Sequence, residues 1–194
     1  MRILTPLFAL AALLMGGQVS AATLNLDFSS NTLTVGQSFT VNVIVNDPFA
    51  PPYESDVITG YGFNLNFSNV GLVLFNGFTF GPLFVDAGDG NPNVLAVTAD
   101  FLGIDSATPN SNPLLLGTLN FTAVAPGSTT VEIASNTAVS DEGLVYLFGD
   151  KFQLAGSGTV RINDAAIPEP STWLLFGSAL LLVIAIQRFG LNRV

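Results

Sequence analysis

Between Thr23 and Asp164 apolar side chains return at every second residue, in one short run after another. Leu24, Leu26 and Phe28 alternate with polar neighbours. Phe39, Val41, Val43 and Val45 alternate with Thr40, Asn42 and Ile44. Tyr61, Phe63, Leu65 and Phe67 do the same with Gly62, Asn64 and Asn66. Leu95, Val97, Ala99 and Phe101 follow, then Leu119, Phe121 and Ala123, then Val131 and Ile133, then Val160 and Ile162. A period of two puts one face of a strand on a core and the other toward water. No segment of this stretch carries a helical period. Turn compositions separate the runs: Val35-Gly36-Gln37, Asn76-Gly77, Pro126-Gly127-Ser128 and Ala155-Gly156-Ser157-Gly158. Many short strands joined by such turns predict an all-β chain, a jelly-roll β-sandwich. No strict repeat is present, which argues against a solenoid.

Composition removes whole classes of chemistry. The 194 residues contain no Cys and no His. Disulfides, zinc–thiolate sites, cysteine nucleophiles and His-based triads are therefore excluded. With 5 Lys+Arg against 14 Asp+Glu the net charge is −9, and a chain so poor in cations cannot neutralise phosphates. A nucleic-acid partner is not expected. Carboxylate pairs are the one catalytic device left, as in a glycoside hydrolase. Asp86/Asp89 and Asp141/Glu142 are the candidates, and adjacency alone does not give the spacing that reaction needs. The expectation is a protein that is not an enzyme.

The two ends differ from the middle. Arg2, the apolar stretch from Ile3 to Met15 and the small residues Val19-Ser20-Ala21-Ala22 form a secretory signal peptide over residues 1–22, the substrate of a signal peptidase. The competing reading is a buried N-terminal helix. At the other end Trp173 to Ile186 is uninterrupted and uncharged, followed by Arg188 and Arg193. Taken as a helix over about 172–191, it reaches ~28 Å, close to the ~30 Å of a bilayer core. Trp173 suits one interface and the arginines the other, which leaves the tail on the cytoplasmic side. The competing reading is a buried core helix. Residues 23–166 remain as one domain, a usual size at roughly 145 residues.

Pro168-Glu169-Pro170-Ser171-Thr172, the apolar segment with Gly177, and the basic end with Arg188 and Arg193 resemble the PEP-CTERM sorting tail of exported bacterial proteins. The resemblance covers residues 167–194. It implies that an exosortase, a membrane transpeptidase-like enzyme, recognises Pro168, Glu169 and Pro170. It further implies removal of the tail and release or re-anchoring at the cell surface, in bacteria that make exopolysaccharide. Localisation follows as an expectation. The precursor is held in the inner membrane with a periplasmic domain and a cytoplasmic C-terminus, and the product goes to the cell surface or extracellular matrix.

Three loops are long enough to carry binding: 46–57, 86–93 and 103–113. The first gathers Asp47, Phe49, Tyr53, Glu54 and Asp56, with Tyr61 just beyond. Exposed rings beside carboxylates would form a platform for a polysaccharide. The alternative is that these rings cover the end of the sandwich. The second loop offers Asp86, Asp89 and Asn91, oxygen ligands of the kind calcium takes, without the spacing of an EF-hand. A calcium ion there is the one cofactor considered, against a plain polar turn.

Val35-Gly36-Gln37-Ser38-Phe39-Thr40-Val41-Asn42-Val43 resembles the opening of cohesin domains, and Ile58 to Phe67 their next strand. Leu116-Gly117-Thr118-Leu119-Asn120-Phe121 with Gly127 to Ile133 resembles a later hairpin. The chain departs from them at Ser68-Asn69, where cohesins place Asp-Pro. The resemblance implies a nine-stranded jelly-roll sandwich, similar to carbohydrate-binding modules, that binds a dockerin module without catalysing anything. The expected function is therefore an exported, surface-targeted binder of a dockerin-like module or a polysaccharide in the envelope or biofilm matrix. A carboxylate glycoside hydrolase and a purely structural matrix subunit are the alternatives.

Overall fold

Eleven strands account for the alternation: β1 (Thr23–Phe28), β2 (Thr32–Thr34), β3 (Ser38–Asn46), β4 (Ile58–Phe67), β5 (Val73–Phe80), β6 (Phe84–Asp86), β7 (Val94–Thr98), β8 (Leu114–Ala123), β9 (Gly127–Ala134), β10 (Gly143–Tyr146) and β11 (Ala155–Asn163). The computed structural model describes residues 21–88 and 94–165, and in the tail the separate positions Phe176, Ser178, Leu180, Leu181, Ile184 and Arg188. The chain divides into two units, Met1–Asn163 and Asp164–Val194. The six described tail positions are helical and exposed, and they fall inside the segment read as a membrane helix. Among the described residues no helix is long and apolar enough to cross a membrane. Most of the signal peptide, the motif residues Pro168, Glu169 and Pro170, and Arg193 lie outside the described residues.

The strands form two sheets. One has four strands in the order β1-β3-β8-β5; the other has seven, β2-β11-β9-β4-β7-β6, with β10 paired to β4. All pairs are antiparallel except β11 with β2. β3 buries Phe39, Val41, Val43 and Val45 and turns Thr40, Asn42 and Ile44 outward, as its alternation requires. Its partner β8 breaks phase once. Leu116 and Gly117 are both buried, and the β3–β8 register shifts between Val43 and Ile44. That irregularity directs the Leu116 carbonyl inward, where it accepts the Tyr61 hydroxyl of the other sheet at 2.5 Å.

Aromatic rings from both sheets fill the space between them. Phe63 meets Phe78 edge-on at 5.8 Å, and Phe67 meets Phe121 at 5.7 Å. Edge-to-face pairs like these favour a unique packing, because the ring edge of one sits on the negative face of the other. Gly117 is required here: a Cβ on it would lie 2.2 Å from the Phe78 ring.

Three expectations fail, each for a stated reason. In β7 the core side is Val94 and Ala96, whereas Leu95, Val97, Ala99 and Phe101 point away from it. The pairing with β4 fixes this. Ala96 lies opposite Tyr61, and Val94 opposite Phe63; residues paired across antiparallel strands share a face. A slip of one residue reverses every side chain, and Phe101 lies beyond the strand altogether. Second, Asn76-Gly77 is not a hairpin turn. It sits inside β5 as a bulge, Gly77 at φ +131°, with the register shifting between Phe75 and Gly77.

Third, Ala155-Gly156-Ser157-Gly158 is not a turn but the first half of β11. Its glycines serve packing. Leu24, Leu26 and Phe28 of the edge strand β1 lean onto them across the open side of the sandwich. A Cβ at Gly158 would stand 2.2 Å from the Phe28 ring, and one at Gly156 would stand 3.1 Å from Leu24. The Gly158→Ala substitution is therefore expected to lower stability by about 1–3 kcal/mol through overpacking. Adding Phe28→Ala should recover part of that loss, so the double variant should unfold at a higher denaturant midpoint than additivity allows. Strict additivity of the two losses would show that the two residues do not touch.

Candidate binding surface at one end of the sandwich

Strand β4 starts where β7 and β10 finish. Ile58 pairs with Tyr146 of β10 on one side and bridges to Ile104, just past β7, on the other. Three connections therefore meet at this end of the seven-stranded sheet: residues 47–57, 99–113 and 147–154. They are hydrogen-bonded to one another. Asp47 and Asn112 form a reciprocal pair, in which the Asp47 N–H donates to Asn112 Oδ1 at 3.1 Å and Asn112 Nδ2 donates to Asp47 Oδ1 at 2.9 Å. The Tyr146 hydroxyl donates to the Pro48 carbonyl.

The residues of the predicted platform part company here. Tyr61 does not belong to it. Its ring is fully buried between the sheets, stacked near Phe63 and edge-on to Phe84 at 4.7 Å. The position after the loop is already strand, and its phase is inward. Phe49 packs against the core from the loop. Tyr53 is half-buried and stacks on Tyr146 with ring centroids 4.1 Å apart and planes 7° apart. Asp47 is engaged by Asn112. Asp56 is buried, and its Oδ1 accepts the N–H groups of Val57 at 2.7 Å and Phe148 at 3.0 Å. Glu54 alone of the set is a freely exposed carboxylate. The loop thus covers the sandwich end, and only Glu54 and the outer edge of Tyr53 remain for a ligand.

What the end displays instead was not read from the sequence. Phe101 is 101% exposed and Phe148 80% exposed, with Leu102 and Leu147 exposed beside them. Phe101 and Leu102 follow β7; Leu147 and Phe148 follow β10; the two pairs flank the start of β4. Both turns are built to hold them. Asp100 Oδ1 accepts the Leu102 N–H at 3.1 Å, and the Asp100 carbonyl accepts the Gly103 N–H at 3.0 Å. Gly103 stands at φ +80°, where a Cβ would strike Val57 at 2.4 Å. On the other side Asp56 holds the Phe148 N–H, and a Cβ on Gly149 would lie 2.6 Å from Asp56 Oδ2. A signal was present in the sequence: Asp100-Phe101-Leu102-Gly103 and Leu147-Phe148-Gly149-Asp150 each set a Phe beside a Gly and an Asp, a turn composition.

An open depression of about 270 Å³ lies beside Phe148, lined by Pro52, Glu54, Ser55, Asp56 and Gly149. The surroundings are acidic. Burial, together with the charges of Asp150 and Asp56, pushes the Tyr53 hydroxyl above its ordinary pKa. Burial does the same to Tyr146, with Tyr53 and Asp56 adding to it. The Thr108 hydroxyl, donating to Asp105 at 2.8 Å, holds that exposed carboxyl below its usual range. From the same end an apolar row runs over the outer face of the sheet: Val85, Val97, Gly60 and Val145 are neighbours in register.

Of the catalytic and metal candidates, Asp86, Asp141 and Glu142 are described. Glu142 is buried; its Oε1 accepts Asn64 Nδ2 at 3.0 Å and its Oε2 accepts the Asn136 N–H at 2.6 Å. That carboxylate ties a loop to β4, and Asp141 beside it is exposed. Asp86 is exposed at the end of β6 and accepts the Gly88 N–H at 2.9 Å. Asp89 and Asn91 lie outside the described residues. Among the described residues no three His, Cys, Asp or Glu side chains gather around a common point to hold a metal ion.

No protein-family profile matches the sequence, and no curated protein is similar to it. Solved structures are similar in fold. A cohesin module from the family 33 glycoside hydrolase of Clostridium perfringens superposes with a TM-score of 0.53 at 13% identity, over 76% of this chain and 98% of that one. A type II cohesin domain from the cellulosome of Acetivibrio cellulolyticus gives 0.45 at 11%, over 73% and 95%. The third cohesin of ScaC from Acetivibrio cellulolyticus, solved in complex with the ScaB dockerin, gives 0.44 at 17%, over 72% and 99%. The fold is that of a cohesin-like β-sandwich.

The buried tyrosines make a pH prediction. Unfolded, Tyr61 and Tyr146 ionise near 10; folded, burial raises both well above that value. Their contribution to stability is complete below pH 10 and is lost as pH climbs toward the folded values. Unfolding free energy should fall between pH 10 and 12, by up to about 1.4 kcal/mol per pH unit for each such tyrosine. The Tyr146→Phe variant should be less stable at pH 7 by about 1 kcal/mol, having lost the bond to Pro48, and should show a shallower decline above pH 10. An unchanged alkaline slope would place the Tyr146 hydroxyl in water.

Proposed function

We propose that the chain is an exported, non-catalytic binding module that docks a partner protein on the end carrying Phe101 and Phe148, and that its tail directs it to the cell surface. The observation that carries this reading is the pair of exposed phenylalanines, each held on a hydrogen-bonded turn. A ring fully in water gains nothing for the fold that displays it. Fixed in place beforehand, it contributes to binding with little further loss of conformational freedom. Leu102, Leu147, Val85 and Val97 extend the apolar area around them. Glu54, Asp100, Asp105 and Asp150 stand around it, and Lys151, the cation next to Asp150 in the chain, is bonded to the carbonyls of Val139 and Ser140. A partner with a basic rim is steered to such a surface.

Cohesin-like architecture supports a protein partner, a dockerin-like module being the natural candidate. The engagement of Glu142 with Asn64 and Asn136 weighs against a carboxylate glycosidase. Export by the signal peptide, and recognition of Pro168, Glu169 and Pro170 by an exosortase, complete the reading and rest on the sequence.

The test is capture of a partner from the envelope fraction of the producing cells by the tagged full chain, followed by titration with that partner purified. Phe101→Ser and Phe148→Ser are each expected to weaken binding tenfold or more, about 1.4 kcal/mol or above, with the midpoint of thermal unfolding nearly unchanged. Full affinity in the double variant, or self-association as the sole interaction, would overturn the docking surface. Sorting is tested separately. Replacing Pro168-Glu169-Pro170 by alanines should leave the precursor in the membrane fraction, and normal release of that variant would remove the exosortase from the account.

A further inference from the structure

The outer face of the four-stranded sheet has a different chemistry from the rest of the molecule. Strands β3, β8 and β5 contain no Asp, Glu, Lys or Arg along their whole length. The register arranges their outward side chains in rows. Asn42, Thr118 and Thr79 lie side by side, with Asp27 of β1 at the margin; Thr40 is beside Asn120; Ser38 is beside Thr122 and Leu74. Neighbouring strands are about 4.8 Å apart and alternate residues along a strand about 6.7 Å apart, so beyond the outward pair Ile44 and Leu115 at one end the face is a lattice of amides and hydroxyls. The charges of the other sheet show that this is a property of the face: Glu132 and Arg161 stand on outward positions there.

The lattice is fastened from within. Thr118 Oγ1 donates to Asn42 Oδ1 at 2.8 Å, Asn76 Nδ2 to Thr122 Oγ1 at 2.9 Å, and Asn120 Nδ2 to Thr79 Oγ1 at 3.2 Å and the Gly77 carbonyl at 3.3 Å. The bulge at Asn76-Gly77 is what brings Asn76 over Thr122 and turns the Gly77 carbonyl to Asn120. Each amide is thus held by one of its two polar atoms. Among the described residues the other atom, Nδ2 of Asn42 and Oδ1 of Asn76 and Asn120, makes no hydrogen bond.

We infer that this face binds a neutral polysaccharide laid across the strands. Fixed amides and hydroxyls at regular spacing match repeated sugar hydroxyls, and pre-fixing removes most of the ordering loss on binding. Leu74, 57% exposed at the edge of β5, supplies an apolar contact for a sugar face. β3, β5 and β8 carry no cation and the one charge at the margin, Asp27, is an anion, so electrostatic recognition of an acidic polymer is excluded, and β3 and β8 show no exposed ring of the kind that anchors a protein-docking centre. This surface uses none of the residues of the Phe101/Phe148 end and stands or falls without it.

The experiment is affinity electrophoresis and sedimentation of the full chain, purified in mild detergent, against cellulose, starch and curdlan as neutral polymers and alginate as an acidic one. Retention by a neutral polymer is expected, changing by less than about twofold between low and high salt because no charges pair. The isosteric pair Asn42→Asp and Asn120→Asp places charge in the lattice and should reduce retention about tenfold. Thr40→Lys, whose hydroxyl holds nothing in the fold, should act alike. Glu132→Gln on the opposite sheet should leave retention as it was. No retention on any neutral polymer, retention on alginate alone, or unaltered retention by the charged variants overturns the inference.

Discussion

The Tyr61 hydroxyl, donating to the Leu116 carbonyl across the core, is the contact on which the sandwich turns. It joins β4, the strand that β9, β10 and β7 all pair with, to β8, which β3 and β5 flank in the other sheet. A buried hydroxyl without an acceptor would be destabilising by about 1–3 kcal/mol, so the inward Leu116 carbonyl is a requirement of putting tyrosine there. That carbonyl points inward because β8 breaks phase at Leu116-Gly117, and the break needs glycine because Phe78 lies over it. One hydrogen bond, one bulge and one glycine thus tie the two sheets together across the core, at a carbonyl that also accepts the Gly81 N–H at 2.8 Å. The edge-on rings of Phe63, Phe78, Phe67 and Phe121 then fill the gap.

The same register decides what the molecule shows to its surroundings. With Tyr61 inward, Ala96 and Val94 must be inward too, and Val97 must face water. Between the end of β7 and the bridge of Ile104 to Ile58, Asp100 and Gly103 close a turn that presents Phe101 outward. Beyond β10 the buried Asp56 carboxylate does the corresponding work for Phe148. The opposite sheet differs: most of its outward positions are amides and hydroxyls, with Ile44, Leu115 and Leu74 among them. Two surfaces of different character therefore come from one core. One is apolar with acidic surroundings at the loop end, and the other is neutral and polar on a sheet face.

The central strands were legible because their alternation is strong and one face is fully buried. Phe39 to Val45 and Leu119 to Ala123 face the core as their pattern says. Strand β7 was legible as a strand but not in phase: Val94, Leu95, Ala96 and Val97 are all apolar, and an unbroken run carries no period. Glycine misled in the same way twice. In Asn76-Gly77 it marks a bulge, and in Gly156 and Gly158 it marks the approach of Phe28 and Leu24 from the other sheet. Local composition cannot distinguish a glycine needed for its backbone from one needed for its lack of a side chain. The site was the least legible part. Rings in the Pro-rich loop, Phe49 and Tyr53, are anchored inward, whereas the exposed rings follow strands, where the eye assigns them to the core.

Radical footprinting of the intact protein, read by mass spectrometry at single residues, tests the central claim most directly, since it measures the water contact of each ring. Phe101 and Phe148 should be oxidised fast in the free protein and protected once the captured partner is bound, while Tyr61 and Phe63 stay unmodified in both states. Slow oxidation of Phe101 in the free protein, with Tyr61 modified, would mean that β4 and β7 pair in another register and that the proposed surface does not exist.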